Sequence, residues 1–100
     1  KFAPSTIIAT VRIESDGTNT GFEYGVSGTS RAGNGNYRGC YDNALAASTD
    51  ANGVTNGLPG SGQTAGWERI STTQFQTFVG NTSGTGADGD NFTIVTGNLS

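Results

Sequence analysis

Covalent chemistry near neutral pH usually relies on a base that titrates there, and this sequence has no histidine. Its single cysteine, Cys40, therefore has no imidazole to activate it and reads as a small buried hydrophobe. Carboxylates remain. Glu14, Glu23 and Glu68 are the candidates for the acid and nucleophile of a glycoside hydrolase, which must sit about 5–10 Å apart. Glu14 and Glu23 meet that condition only if they face each other across a hairpin. Glu on a strand is far more often solvated, so no enzymatic activity is expected.

Binding chemistry has more candidates. Asp88, Asp90 and Asn91 cluster beside Gly86 and Gly89, and Asp50 and Asn52 sit in another Gly-rich stretch. Oxygen ligands on such loops suit Ca2+. The spacing does not match an EF-hand, and Asp and Asn also serve ordinary turns. Asp88, Asp90 and Asn91 are the calcium candidate, and no other cofactor is implied. Residues 84–89 match GxGxxG and residues 60–65 match GxGxxA, the glycine patterns that cradle a dinucleotide pyrophosphate. Neither leads into a helix-period segment, and a chain with 17 glycines produces such matches by chance. Trp67, Tyr37 and Tyr41, with Tyr24, are rings that could stack on a sugar, while Trp67 is also the largest side chain available to a core. Sequons at Asn81, Asn91 and Asn98 are glycosylation candidates, with Asn81 the best acceptor because it lies in a loop. The basic residues Lys1, Arg12, Arg31, Arg38 and Arg69 are too few and too scattered to neutralise a phosphate backbone, so nucleic acid is not an expected partner.

The elements that must position these side chains read as strands. Ser5 to Glu14 (STIIATVRIE) alternates Ile7, Ala9, Val11 and Ile13 against Ile8, Thr10, Arg12 and Glu14, the period of a strand with one buried face. Asp16-Gly17 follows, a hairpin turn signal, and Thr20 to Ser27 alternates again with Phe22, Tyr24 and Val26. Tyr37 to Tyr41, Trp67 to Ser71 and Asn91 to Gly97 are further short strands. Gly28 to Asn36 reads as a loop, and Asp42 as the cap of a short helical turn to Ala47. Ser48 to Gly66 shows no periodicity and reads as one long turn-rich loop. Thr72 to Val79 is ambiguous: Phe75, Phe78 and Val79 have helical spacing, while its Thr and Phe favour a strand, and the spacing tips the reading toward a helix or turn. The expected fold is all-β, a single domain over residues 1–100. It is a small antiparallel sandwich or open barrel of about five to seven short strands with long Gly/Asn/Thr loops.

Composition bears on what holds such a fold. Half of the chain is Gly, Thr, Ser or Asn, 32% is hydrophobic and 13% charged, well below ordinary globular usage. A self-contained core would be thin, and one cysteine cannot staple it internally. Association with other subunits is the remaining common source of buried area. Few lysines or prolines guard the strand edges. No apolar run approaches a membrane span, and the first residue is not Met, as expected of an exported chain whose leader has been removed. In composition alone, without a shared motif, the chain resembles exported subunits of surface filaments such as pilins, though it lacks their long hydrophobic N-terminal helix. The expected role is an extracellular or cell-surface structural subunit of a filament or coat, pairing through its strands with identical or companion subunits. Ile7, Ala9, Val11 and Ile13 are its expected assembly residues, exchanged or covered by a neighbour, the alternative being that Ser5 to Glu14 is an ordinary core strand paired only with Thr20 to Ser27 of its own chain. The alternative is a secreted carbohydrate-binding module using Trp67, Tyr37 and Tyr41.

Overall fold

The computed structural model describes residues 6–45, 47, 51–57, 64–80 and 86–97. These residues form eight strands: β1 (Ile7–Ile13), β2 (Asn19–Tyr24), β3 (Val26–Gly33), β4 (Asn36–Tyr41), β5 (Ala51–Gly57), β6 (Thr64–Arg69), β7 (Gln74–Gly80) and β8 (Asn91–Gly97). They make two four-stranded antiparallel sheets, β2-β1-β8-β5 and β3-β4-β7-β6, packed as a sandwich. The antiparallel sandwich is the expected architecture, with eight strands rather than five to seven. No helix among the described residues is long and apolar enough to cross a membrane.

The expected hairpin of β1 and β2 is present, and Asp16 shapes its turn by accepting from the N–H and hydroxyl of Thr18. The second strand, however, ends at Tyr24. Gly25 adopts a φ of 73° and its backbone lies against the Ile8 carbonyl where a Cβ would collide. Only glycine combines that dihedral with that approach, and the chain uses it to cross from one sheet to the other. Val26 is thus buried in a different sheet from Tyr24. Asp42 donates its N–H to the Gly25 carbonyl and holds the crossing from beyond β4.

Four expectations for local structure are corrected. Gly28–Asn36 is not a loop: most of it is β3, joined to β4 by a tight turn in which Gly35 has a φ of 75°. Thr72–Val79 is not helical, because Phe75, Thr77 and Val79 point inward with the period of a strand and β7 pairs on both sides. Ser48–Gly66 contains β5 and the start of β6, whose Gly- and Asn-rich sequences give no periodicity to read. Asp42–Leu45 forms no helical turn; Leu45 is buried and donates its N–H to Thr72 O.

The core lies between the sheets. Ala9, Val11, Ile13, Ala51 and Val95 face Tyr37, Tyr41, Phe75 and Val79, with Ile8, Val26 and Leu45 completing it. Phe75 meets the Tyr41 ring at a tilt of 52° with centroids 5.3 Å apart, and stacks with Trp67 at 6.3 Å. Trp67 reaches across to Gly53 of the opposite sheet, where a Cβ would lie 2.5 Å from the indole. Hydrophobic side chains alone do not fill this interior. Thr55 and Thr93 share a buried hydrogen bond of 2.7 Å, and Thr77 donates to Asn91 Oδ1 at 3.1 Å. A core this poor in Leu and Ile closes by pairing its polar groups internally.

Candidate functional site

The acidic cluster is dispersed by its partners. Asp88 accepts from Arg31, whose Nη2 lies 2.9 Å away, and from the Gly35 N–H at 2.9 Å. The Arg31 guanidinium, first, and the Gly35 N–H hold its carboxyl below the ordinary value, and the same pairing raises Arg31. Asp90 accepts from Ser15 N–H at 2.9 Å and from Arg12 at 3.4 Å. Asn91 turns inward, accepting from Thr77 and donating to Gly89 O. A calcium site needs several oxygens with free lone pairs converging on one point. Here each of the three side chains is engaged with a different part of the protein, and the set does not fit the ion. Among the described residues no group of three or more His, Cys, Asp or Glu is placed to hold a metal.

The segment serves instead as a clasp between the sheets. The Tyr37 hydroxyl donates to Ser15 O at 2.9 Å and accepts from Gly89 N–H at 3.1 Å, with Asp88 Oδ1 at 3.3 Å. Burial raises the Tyr37 phenol above its ordinary value, with the Asp88 carboxylate adding to the shift. Tyr41 is also buried, and its phenol is pushed up to about 12 by that burial. Trp67 is half-buried against the core, and its Nε1 is buried without a hydrogen-bond partner among the described residues. Of the three rings assigned to sugar stacking, Tyr37 and Tyr41 present no face to solvent, and Trp67 is spent mainly on Phe75 and Gly53.

Other candidates also separate. Glu23 sits opposite Val11, on the side of β1 that faces the core, whereas Glu14 shares the opposite side with Arg12. Glu68 lies on the other sheet and accepts from Gln76. Cys40 is half-buried on the outward side of β4, with Gln74 Nε2 at 3.6 Å from its sulfur. The Asn91 sequon is occupied by the core: its side chain is fully buried, so a glycan cannot stand on it in the folded chain. Asn81, Asn98 and Asp50 lie outside the described residues.

The expected assembly residues divide. Ala9, Val11 and Ile13 are wholly buried in the core of the chain itself. The β1–β8 register shifts between Ile7 and Ala9, a bulge that buries the consecutive residues Ile8 and Ala9 and turns Ile7 outward. That outward side is where the sheet registers assemble a surface. Directly opposed residues share a face, and Tyr24, Thr10, Ile94 and Val54 are opposed in turn across β2, β1, β8 and β5. The flanking rows are Ile7, Thr96 and Asn52 on one side and Arg12, Phe92 and Asn56 on the other. Val54 is 66% exposed, Tyr24 62%, Ile7 49% and Ile94 38%. Thus one outer face of the sandwich carries an apolar row along its full width. The other outer face is more polar: Arg38 donates to Gln76, which donates to Glu68, in a ladder across β4, β7 and β6, and Phe78, two residues from Gln76, is the large apolar side chain exposed beside it.

The apolar row was not legible before the registers were known. Val54 stands among Asn and Gly, and Tyr24 aligns with it only through two intervening strands. No protein-family model matches the chain, and neither a curated protein nor a solved structure does.

Proposed function

We propose that the chain is a structural subunit of an extracellular filament or coat, assembling through its strands with identical or companion subunits. The observation that carries this reading is the apolar outer face of β2-β1-β8-β5, with Tyr24, Ile94 and Val54 in one row. An exposed apolar patch rimmed by polar residues marks an interaction surface. Conversely, Glu14, Glu68, Asp88, Asp90 and Asn91 are engaged in hydrogen bonds within the chain, and Glu23 lies apart from the other two glutamates. A thin core that closes in part through polar pairs such as Thr55–Thr93 and Thr77–Asn91 gains from the further burial that assembly supplies. Export and a cell-surface location belong to this proposal and rest on the Lys-poor, Ser/Thr/Asn-rich composition.

Negative-stain microscopy of the native material tests it. Fibres, sheets or a regular coat that contain this chain are the expected result. Material found only as dispersed monomers bound to a soluble ligand would overturn the reading.

A further inference from the structure

We infer that the occupant of the apolar face is a second copy of this chain, docked sheet to sheet with Tyr24 of each copy over Val54 of the other. The inference deepens the proposed structural role by naming the partner and the geometry.

Edges compete with faces as routes of association, and three of the four edge strands carry a device against strand addition. At β3 the Gly17 turn packs on the backbone of Ser30 and Arg31, and Thr29 donates to Gly17 O. At β5 the Arg69 guanidinium occupies the Ala51 carbonyl at 2.9 Å and Asn52 Oδ1 at 2.8 Å. At β2 the pairing with β1 is irregular, Gly21 has a φ of 85°, and its N–H is taken by the Asn19 side chain. Such features blunt an edge. Among the described residues the face has no equivalent guard.

Charge and shape point to a copy rather than to an oppositely charged partner. Arg12 is the one charged side chain in the three outward rows, and it already pairs with Glu14 and Asp90 of its own chain. Two such faces meet without like-charge repulsion. A twofold axis lying between the copies and along the strands, midway between β1 and β8, keeps each row over itself and reverses its order. Tyr24 then stands over Val54 of the second copy, Thr10 over Ile94, and Arg12 over the Phe92 ring, a favourable cation–π combination. The largest exposed side chain of the row thereby meets a small branched one. An axis across the strands would instead stack Tyr24 on Tyr24 and leave a gap at Val54. The strand-parallel axis also gives the aligned packing common between sheets.

Area sets the strength. Four strands spaced about 4.8 Å apart, with seven residues rising about 3.3 Å each, present a face of about 20 by 23 Å. Two copies bury on the order of 1,000 Å2, below the roughly 1,200–2,000 Å2 of a standard stable interface. The contact is therefore weak in free solution and suits a subunit that repeats it in an array.

Sedimentation equilibrium of the isolated chain up to millimolar concentration tests the proposal, with Tyr24→Asp, Val54→Arg and the double variant alongside. All are outer-face changes, and thermal melting verifies that each remains folded. The expected result is reversible dimerisation of the wild type, at least tenfold weaker in each single variant and restored in the double variant, where the introduced carboxylate and guanidinium oppose each other across the axis. A wild type that stays monomeric overturns the proposal, and so does self-association that ignores both single variants, which would indicate an edge. Loss in the single variants without recovery in the double overturns the Tyr24–Val54 pairing. Failure here with fibres still visible in native material would leave the structural role standing and remove only this contact.

Discussion

The ring of Phe75 lies across Gly39, its directly opposed neighbour on the adjacent strand, in the space that a Cβ at residue 39 would occupy. Tyr41 and Trp67 both pack on the same ring. Glycine in a strand interior ordinarily weakens the strand; here it is the seat of the core's central aromatic. Gly39→Ala should therefore destabilise the chain by about 1–3 kcal/mol through overpacking. For a domain of this size that corresponds to a drop in Tm of about 4–8 °C per kcal/mol. Combining it with Phe75→Leu, which frees the space, should cost less than the two single losses added together. Thermal melts of the four proteins check this.

Trp67 covers Gly53 and carries a buried indole N–H without a partner among the described residues. An orphaned donor costs about 1–3 kcal/mol, which opposes the gain from burying the ring. Trp67→Phe removes the donor and part of the ring area together, so its net effect should lie within about 1 kcal/mol of zero. Trp67→Ala empties the site and should cost about 3–5 kcal/mol. Denaturant titration followed by circular dichroism distinguishes the two. A Trp67→Ala protein as stable as the wild type would remove Trp67 from the core.

Thr55 and Thr93 oppose each other on β5 and β8 and share one buried hydrogen bond. Replacing either by Val leaves the other hydroxyl buried and unpaired, at about 1–2 kcal/mol each, whereas the double Val variant leaves none and should be close to neutral. The expected outcome of the cycle is a strongly positive coupling. Additive losses would show that water satisfies the single variants.

Stability should fall at both ends of the pH range for separate reasons. Asp88 has its carboxyl lowered from 3.8, chiefly by Arg31 and then by the Gly35 N–H. The stability it contributes is present above the unfolded value and is lost as pH drops through the lowered one. Both side chains are over a third exposed, so the effect is modest and shrinks further with added salt. Asp88→Asn should flatten the acid limb below about pH 4. Tyr41 behaves oppositely: its phenol rises from 10.0 to about 12 because the charged form would be buried. Its contribution is complete below pH 10 and is lost between there and about 12. Tyr41→Phe should weaken that alkaline limb, read by urea midpoints across pH.

How much of this was legible in the letters varies by residue. Ile7 to Ile13 announces a strand because β-branched residues alternate there, and Asp16-Gly17 announces the turn after it. Phe92 to Thr96 does the same at the other end of the chain. By contrast, Ala51 to Gly57 (ANGVTNG) is a strand with almost no strand propensity of its own. It exists because β8 supplies a full antiparallel ladder from Ala51–Gly97 to Gly57–Asn91, a long-range pairing that overrides local preference. Phe75, Phe78 and Val79 keep helical spacing, yet β4 and β6 on either side impose a period of two.

The candidate site divides in the same way. Absence of histidine, the lone Cys40, the sparse charge and the small apolar fraction are properties of composition, and they alone narrowed the chemistry toward binding and structure. Composition also determined that the interior would be thin and rich in hydroxyls. Which hydroxyls pair, which acidic groups are consumed by Arg31 and Ser15, and which apolar side chains are left outside are matters of register. One residue of slip exchanges the two faces of a strand, and the bulge beside Ile7 makes that exchange within β1 itself. Tyr24 and Val54 are 30 positions apart in the chain and lie in one row only because β1 and β8, from near opposite ends of the sequence, pair between them. Local side-chain chemistry made β1 and β8, whereas the non-local hydrogen-bond ladders made β5 and decided which sides of the strands would face water.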